Sequence, residues 1–296
     1  MRKDYVLITP AHNEEKNIER TIQSVVTQTI IPKKWIIVDD GSTDKTNEII
    51  KRYESEHDFI TSLRTEHTNT ETYYGHRTRA VLAGYEKIKT LEYNFLGVLD
   101  ADILLGPKYY EGILTEFERD PKLGLAAGTF EYEINGHREK SHMAQLYTSG
   151  SHHVFRRECY ETIGGYIPLN NGGDDSLADI MTRMHGWKTW SFDEHKVIQR
   201  RFVGTGDRSI LRARFRQGLT DYGIATHPLF MLAKLFRRSF IERPYFTGSL
   251  ARLAGYLYGY LHREKRKICP EAIRFVRKEQ MQRLLYWRRG KFQRPM

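Results

Sequence analysis

The sequence predicts an α/β fold, a mostly parallel sheet flanked by helices, followed by a helical, basic C-terminal extension. Three observations carry that expectation. Apolar β-type runs alternate with amphipathic stretches over the first 120 residues, each run ends in a polar, acid-rich loop, and beyond Arg208 the chain turns basic and apolar at helical spacing. Alternation of this kind puts a helical crossover between successive strands, which favours parallel pairing with helices on both faces.

Tyr5 to Thr9 is an apolar run that stops at Pro10, and after Ala11-His-Asn-Glu-Glu15 come Ile18, Ile22, Val25 and Val26 at the spacing of one helix face. Trp35 to Val38 repeats the strand signal, Asp39 to Asp44 supplies a turn rich in N-capping side chains, and Glu48 to Tyr53 reads as helix. A third helix carries Val81, Leu82, Tyr85 and Ile88 and leads into the strand Phe95 to Leu99, which ends at Asp100-Ala-Asp102. Pro107 suits the first turn of a helix with Tyr110, Ile113, Leu114 and Phe117 on one face. A less regular second half follows, with strand signals from Leu123 and over Ser151 to Phe155, and with Gly164-Gly165 and Gly172-Gly173. The expected division is residues 1–207, of which 1–120 bind the small-molecule ligand, and an extension of residues 208–296 with Leu211, Phe215 and Leu219 on one helix face beside Arg212, Arg214 and Arg216.

The 296 residues suffice for a large domain with an appendage, and 40% hydrophobic with 28% charged residues exclude a disordered or collagenous chain. Two cysteines, Cys159 and Cys269, are too few for a disulfide framework and wrongly spaced for a zinc ribbon or redox pair. The N-terminus lacks a signal-peptide core, and the most apolar stretch, Phe246 to Leu261, is interrupted by Arg252. A cytoplasmic protein is expected, peripheral on the inner face of the cell membrane if the extension binds lipid. The net charge of +10 favours a partner carrying phosphate or an anionic surface.

Ligands of open α/β sheets sit outside the carboxyl ends of the strands. There this sequence places His12, Asn13 and Glu14, then Asp39 and Asp40, then Asp100 and Asp102. The alternative is that these are ordinary solvated turn residues. Asp100 and Asp102 are two apart, so in extended backbone their carboxylates project to one side. Two like charges that close call for a cation, and hard oxygen ligands suit Mg²⁺ or Mn²⁺ shared with a substrate diphosphate.

Ile8-Thr-Pro-Ala-His-Asn-Glu-Glu15, Val38-Asp-Asp-Gly-Ser-Thr-Asp44, Leu99-Asp-Ala-Asp102 and Gly172-Gly-Asp-Asp175 resemble, in order and approximate spacing, the inverting nucleotide-sugar glycosyltransferases of family 2, which have the GT-A fold. The resemblance covers roughly residues 4–205. It implies that Pro10, His12, Asn13, Glu14 and Asp40 line a nucleoside pocket, that Asp100 and Asp102 hold the metal and, through it, the donor diphosphate, and that Asp175 is the catalytic base. Arg156, Arg157 and Gly164-Gly165-Tyr166 match an acceptor-side segment. A sugar hydroxyl is a weak nucleophile and needs such a carboxylate to take its proton. The departing nucleoside diphosphate needs the metal and fixed donors such as Arg77 or Arg79.

The chain also departs from the family pattern. Leu177 stands where a second acid is common and Met181 where an Arg is usual, with Arg183 close by, so Asp174 and Asp179 compete with Asp175. Gln199-Arg200-Arg201 occupies the place of a metal-binding His motif, leaving His195 as a nearby substitute, although a lone His is more often structural. Gly75 displaces the glycine that usually opens the helix before the metal strand. Trp187 and Trp190 could stack on a sugar or pack in the core. The basic amphipathic segments of the extension either pack on the catalytic domain or lie in an anionic membrane interface. A nucleic-acid-binding protein is the rival suggested by 47 basic residues and 18 Tyr, 14 Phe and 4 Trp, but acidic strand ends repel a phosphate backbone, and no specific nucleic acid is expected. Neither GxGxxG after the first strand nor GxxxxGK[ST] is present, which argues against a dehydrogenase and a phosphate-loop ATPase. The expected partners are a nucleotide-sugar donor and a glycan or polyprenyl-linked acceptor in surface or extracellular polysaccharide synthesis.

Overall fold

The computed structural model describes residues 3–66, 73–134, 137–140, 144–199 and 209–287. The chain divides into two compact units, residues 1–170 with 174–202, and residues 171–173 with 203–296. The boundary expected at residue 208 lies outside the described residues.

In the first unit, β1 (Tyr5–Ala11), β2 (Lys34–Asp40), β3 (Ile60–Thr65) and β4 (Phe95–Leu99) run parallel in the spatial order β3-β2-β1-β4. The crossovers are α1 (Ile18–Val26), α2 (Thr46–Glu56) and α3 (Tyr73–Ile88), as the alternation predicts. Strand parity divides the core. Leu7, Trp35, Ile37 and Phe95 face Ile18, Ile22 and Val25, whereas Val6, Ile8, Ile36, Val38 and Leu96 face Val81 and Ile88. Both faces are covered, which is why these strands read as continuous apolar runs.

The unit continues with β5 (Ile103–Leu105), α4 (Tyr109–Arg119), β6 (Leu123–Ile134), β7 (His137–Lys140), β8 (His152–Arg156), α5 (Arg157–Thr162), α6 (Asp174–Met184) and β9 (Lys188–Gln199). The sheet extends in the order β4-β8-β6-β9-β5, with β7 on β6. The uninterrupted run of parallel strands therefore ends at β4. Strand β8 arrives without a helical crossover and runs antiparallel to β4 and β6, β9 is parallel to β6, and β5 is antiparallel to β9. Strands β3 and β5 escape the sequence pattern. In β3 only Ile60 is buried, as suits the edge of a sheet, and β5 has three residues.

The second unit is helical among its described residues, as expected: α7 (Ile210–Gly223), α8 (Pro228–Ile241), α9 (Thr247–Leu261) and α10 (Pro270–Trp287). On α7 the face that carries Leu211, Phe215 and Leu219 is not the most buried one. The helix's buried residues are Ala213, Gly218, Asp221 and Tyr222, while Leu211 is 45% exposed. Helices α7 and α9 meet through glycine: a side chain at Gly218 would strike the backbone of Arg252, and one at Gly255 the carbonyl of Phe215. Asp221 completes the contact by accepting from Lys234 at 2.7 Å and Arg252 at 2.6 Å. No helix of the described residues is long and apolar enough to cross a membrane.

Candidate active site

Because β1, β2 and β4 are parallel, their carboxyl ends share one edge of the sheet, and side-chain hydrogen bonds tie the first two loops there into one surface. The Nδ1 of His12 donates to the Asp40 carbonyl at 2.6 Å, and its Nε2 accepts from the Asn13 amide at 3.1 Å. Asn13 has φ 55, a left-handed conformation Asn tolerates, with its N–H donating to Ser42 Oγ at 3.0 Å and its Oδ1 accepting from the Thr43 N–H at 2.9 Å. The Glu14 N–H donates to Thr46 Oγ1 at 2.7 Å, and Glu14 Oε2 accepts from Asn17 at 2.9 Å. Half-buried Pro10 stands in register with Val38. Of the adjacent acids, Asp39 is fully buried and builds the turn by accepting from the Ser42 N–H (2.9 Å) and Asn47 (2.8 Å). Asp40 accepts from Thr65 Oγ1 at 2.8 Å and lies 3.4 Å from His76 Nδ1.

Three consecutive side chains of α3 join that surface to the other acids. His76 reaches Asp40, Thr78 Oγ1 donates to Asp174 at 3.0 Å, and Arg77 lies between them. The Arg77 guanidinium donates through Nε to Asp100 Oδ1 (2.8 Å), through Nη1 to Asp174 Oδ2 (3.1 Å) and through Nη2 to the Gly150 carbonyl (2.5 Å). Burial works against its charge, but Asp100 and Asp174 outweigh that and raise its pKa, so it is a permanent cation. The Asp100 N–H is held by the Ser151 carbonyl at 2.7 Å. Arg79, expected beside Arg77 at the donor, is an exposed residue of the same helix.

The three competing aspartates of α6, two in its first turn and Asp179 at its middle, have distinct surroundings. Asp174 is buried under Arg77 and Thr78. Asp179 is fully buried, accepting from the Thr148 N–H (2.9 Å) and Oγ1 (2.8 Å), and burial pushes its pKa up to about 7. Asp175 remains partly exposed, with Gly150 so close that an added Cβ would lie 2.8 Å from its own. Burial and the neighbouring Asp174 charge push the Asp175 carboxyl up to about 6, against hydrogen bonds from the Ser176 and Gly150 N–H groups and the Arg77 charge.

Asp102 is buried and Asp100 half-buried, both with hard carboxylate oxygens. No group of three His, Cys, Asp or Glu that could hold a metal occurs among the described residues. The donor set still fits Mg²⁺ or Mn²⁺ shared with a diphosphate, since such ions take one or two carboxylates and draw their remaining ligands from water and phosphate. His195 is a correction. In the β9 register Gln199 faces Ile103 and Val197 faces Leu105, so His195 lies past the Leu105 end of β5 while Asp102 precedes the Ile103 end. Its ring instead packs on Gly112 of α4 and 6.0 Å from Phe192, and burial lowers its pKa, with Glu116 opposing. Arg200 and Arg201 lie outside the described residues.

Arg156 and Arg157 also serve elsewhere. Arg156 pairs with Phe95 at the opposite end of β4 from Asp100, bonding the Leu123 and Phe117 carbonyls, and Arg157 bonds those of Leu91 and Lys89. Trp187 and Trp190 pack against the two halves of the core. The sequence reading missed Thr148, Gly150, His152 and His153. The two histidines interrupt a buried strand, the one signal that could have drawn attention to them. His153 donates from Nε2 to Thr148 Oγ1 (2.7 Å), which donates onward to Asp179, and accepts at Nδ1 from the Tyr166 hydroxyl (2.6 Å). Burial keeps His152 and His153 neutral.

Residues 6–180 match the family model described as Glycosyl transferase family 2. The poly-beta-1,6-N-acetyl-D-glucosamine synthase of Staphylococcus epidermidis is 31% identical over 117 residues, 40% of this chain and 26% of the synthase, and that of Staphylococcus aureus strain COL matches to the same extent. The match thus spans about a quarter of these relatives' length. Among solved structures, S. aureus TarS 1–349 in complex with UDP-GlcNAc has a TM-score of 0.59 at 16% identity, covering 98% of this chain and 93% of that one. Mannosyltransferase PcManGT from Pyrobaculum calidifontis, in complex with GDP-Man and Mn²⁺, has a TM-score of 0.55 at 17% identity, covering 98% and 76%. At such identities the likeness speaks for the fold.

Proposed function

The chain belongs to glycosyl transferase family 2 and is a glycosyltransferase, and we propose that it is a metal-dependent, inverting one that moves a sugar from a nucleotide-sugar donor to a hydroxyl of a glycan or polyprenyl-linked acceptor. One observation supports the reading: a single guanidinium, that of Arg77, touches both Asp100 and Asp174, the residue next to Asp175. In this reading Pro10, His12, Asn13 and Glu14 shape the nucleoside pocket and Asp40 meets the base. Arg77 and Arg79 stand on the donor side, Arg77 orienting Asp100. Mg²⁺ or Mn²⁺ held by Asp100 and Asp102 would offset the charge that develops on the departing diphosphate.

Asp175 takes the proton of the acceptor hydroxyl as its oxygen bonds to the anomeric carbon. Attack on the face opposite the leaving group inverts that centre. The likeness to a poly-beta-1,6-N-acetyl-D-glucosamine synthase supports a role in surface or extracellular polysaccharide synthesis, carried out in the cytoplasm or on the inner face of the cell membrane. The test is thermal-shift screening of UDP-, GDP- and dTDP-sugars with and without Mn²⁺, followed by NMR of the product's anomeric configuration, because a ligand of the native state raises its melting point. A metal-enhanced shift with one donor and an inverted product are expected. No shift with any donor, or retention of configuration, refutes the proposal.

A further inference from the structure

The second unit carries a basic and apolar surface of its own. From residue 209 on lie twenty of the 47 Lys and Arg but only five of the 37 Asp and Glu, so this segment holds more than the whole net charge of +10. Helix α8 buries Met231 and Leu235, yet presents a second apolar stripe of Leu232, Phe236 and Phe240 to solvent. Phe246 continues it, and Leu250 and Leu257 extend it along α9, whose opposite face buries Arg252, Gly255 and Tyr256. The aromatic part is contiguous: ring centres are 5.2 Å apart for Phe236 and Phe240 and 5.4 Å for Phe240 and Phe246, with the three side chains 67%, 58% and 58% exposed. Such a patch exceeds the scattered apolar exposure normal for a protein surface.

Charge identifies its occupant. Arg237, Arg243 and Arg263 are exposed on α8 and just beyond the ends of α8 and α9. The one acid in residues 228–261, Glu242, is taken up by Arg214 and Arg238. Among the described residues, Arg214, Lys234, Arg238 and Arg252 pair with two acids, Asp221 and Glu242, a surplus of positive charge beside a small cavity lined by Arg214, Arg238, Glu242, Gly248, Ser249 and Arg252. A second copy would bring the same surplus and be repelled, whereas an anionic lipid surface offers phosphates for the arginines and acyl chains for the rings.

We propose that the stripe from Leu232 to Leu257, with Phe236, Phe240 and Phe246 at its centre, lies in the interface of an anionic membrane with its flanking arginines on lipid phosphates. The stripe docks the protein by adsorption, parallel to the bilayer plane. This inference stands independently of the donor and metal chemistry above.

The experiment is co-sedimentation of the full chain with sucrose-loaded vesicles of phosphatidylcholine alone and of phosphatidylcholine with phosphatidylglycerol. Wild type is expected to pellet with the anionic vesicles and to be released as salt rises. Phe236→Ser and Phe240→Ser are each expected to lower partitioning about tenfold, the worth of withdrawing one ring from an apolar phase, and the triple variant with Phe246→Ser to abolish it. Arg237→Gln with Arg263→Gln should weaken binding to anionic vesicles alone. All these residues are exposed, and unchanged melting curves for the single variants guard against misfolding. Failure of wild type to pellet at low salt overturns the proposal, as does wild-type pelleting of the triple variant. A dimer in light scattering that the triple variant dissociates, without vesicle binding by wild type, assigns the face to a second copy and overturns it equally.

Discussion

Asp175→Asn should make the protein more stable and nearly inactive, and the two effects should separate with pH. Raising a carboxyl from 3.8 to about 6 in the folded state disfavours folding at neutral pH by about 3 kcal/mol. Partial exposure, sharing of charge with Asp174 and the loss of one acceptor for the Ser176 and Gly150 N–H groups reduce the expected gain on substitution to about 1–2 kcal/mol. The sign follows from the raised value. Below pH 3.8 both states are protonated and the group is neutral to stability, between 3.8 and about 6 the penalty grows, and above about 6 it is complete. Urea unfolding of the two proteins should therefore show Asp175→Asn ahead at pH 8 and level with or slightly behind wild type at pH 4, where only the lost acceptor counts. Turnover should fall by about two to four powers of ten, the usual worth of a general base, with the donor-induced thermal shift retained. A variant with wild-type turnover would remove Asp175 from the mechanism, and a stability difference independent of pH would refute the electrostatic account of its surroundings.

Arg77→Gln leaves Asp100 and Asp174 facing each other without their cation, and breaking such a pair costs about 3–5 kcal/mol, which the melting temperature would report as a large fall. Asp179→Asn should gain stability at pH 8, since its carboxyl is held at about 7, with far less loss of turnover than Asp175→Asn because Thr148 and burial remove it from an acceptor; equal losses in the two variants would contradict this. EDTA should abolish transfer and Mn²⁺ restore it, while Asp100→Asn and Asp102→Asn should remove the metal-dependent part of the donor's thermal shift. Gly255→Ala, which drives a methyl into the Phe215 carbonyl, should cost at least about 1–3 kcal/mol in urea unfolding by parting α7 from α9.

The parallel half of the sheet was legible because strands buried on both faces leave unbroken apolar runs, and the loops after β1, β2 and β4 were legible because polar residues there stand out against those runs. What stayed hidden depends on distance along the chain. Nothing local in His76-Arg77-Thr78 announces that it meets Asp40, Asp100 and Asp174, residues up to 97 positions away. His195 misled for the same reason, because a strand register decides which end of β5 it reaches. On α7, Leu211, Phe215 and Leu219 satisfy helical periodicity, yet the backbone contact allowed by Gly218 and Gly255 turns another face inward, and periodicity cannot weigh a missing side chain against a large one.

The grouping of Asp174, Asp175 and Asp179 explains why one of them is suited to base catalysis. A helix N-terminus favours an ionised carboxylate, so Asp175, in the first turn of α6, would lie low if nothing else acted. Arg77 and Thr78 hydrogen-bond Asp174 in place, and burial, with the neighbouring Asp174 charge, lifts Asp175 to about 6 against the Arg77 charge. A carboxylate at that value is about nine-tenths ionised at pH 7 yet binds a proton far more strongly than an ordinary aspartate, the compromise a general base requires. Asp179 is lifted further but has both oxygens occupied by Thr148. Arg77, which also holds Asp100, thus acts on Asp175 directly, its charge pulling that carboxyl's pKa down. Substituting Arg77 should consequently move the acid limb of the pH–rate profile even where donor binding survives.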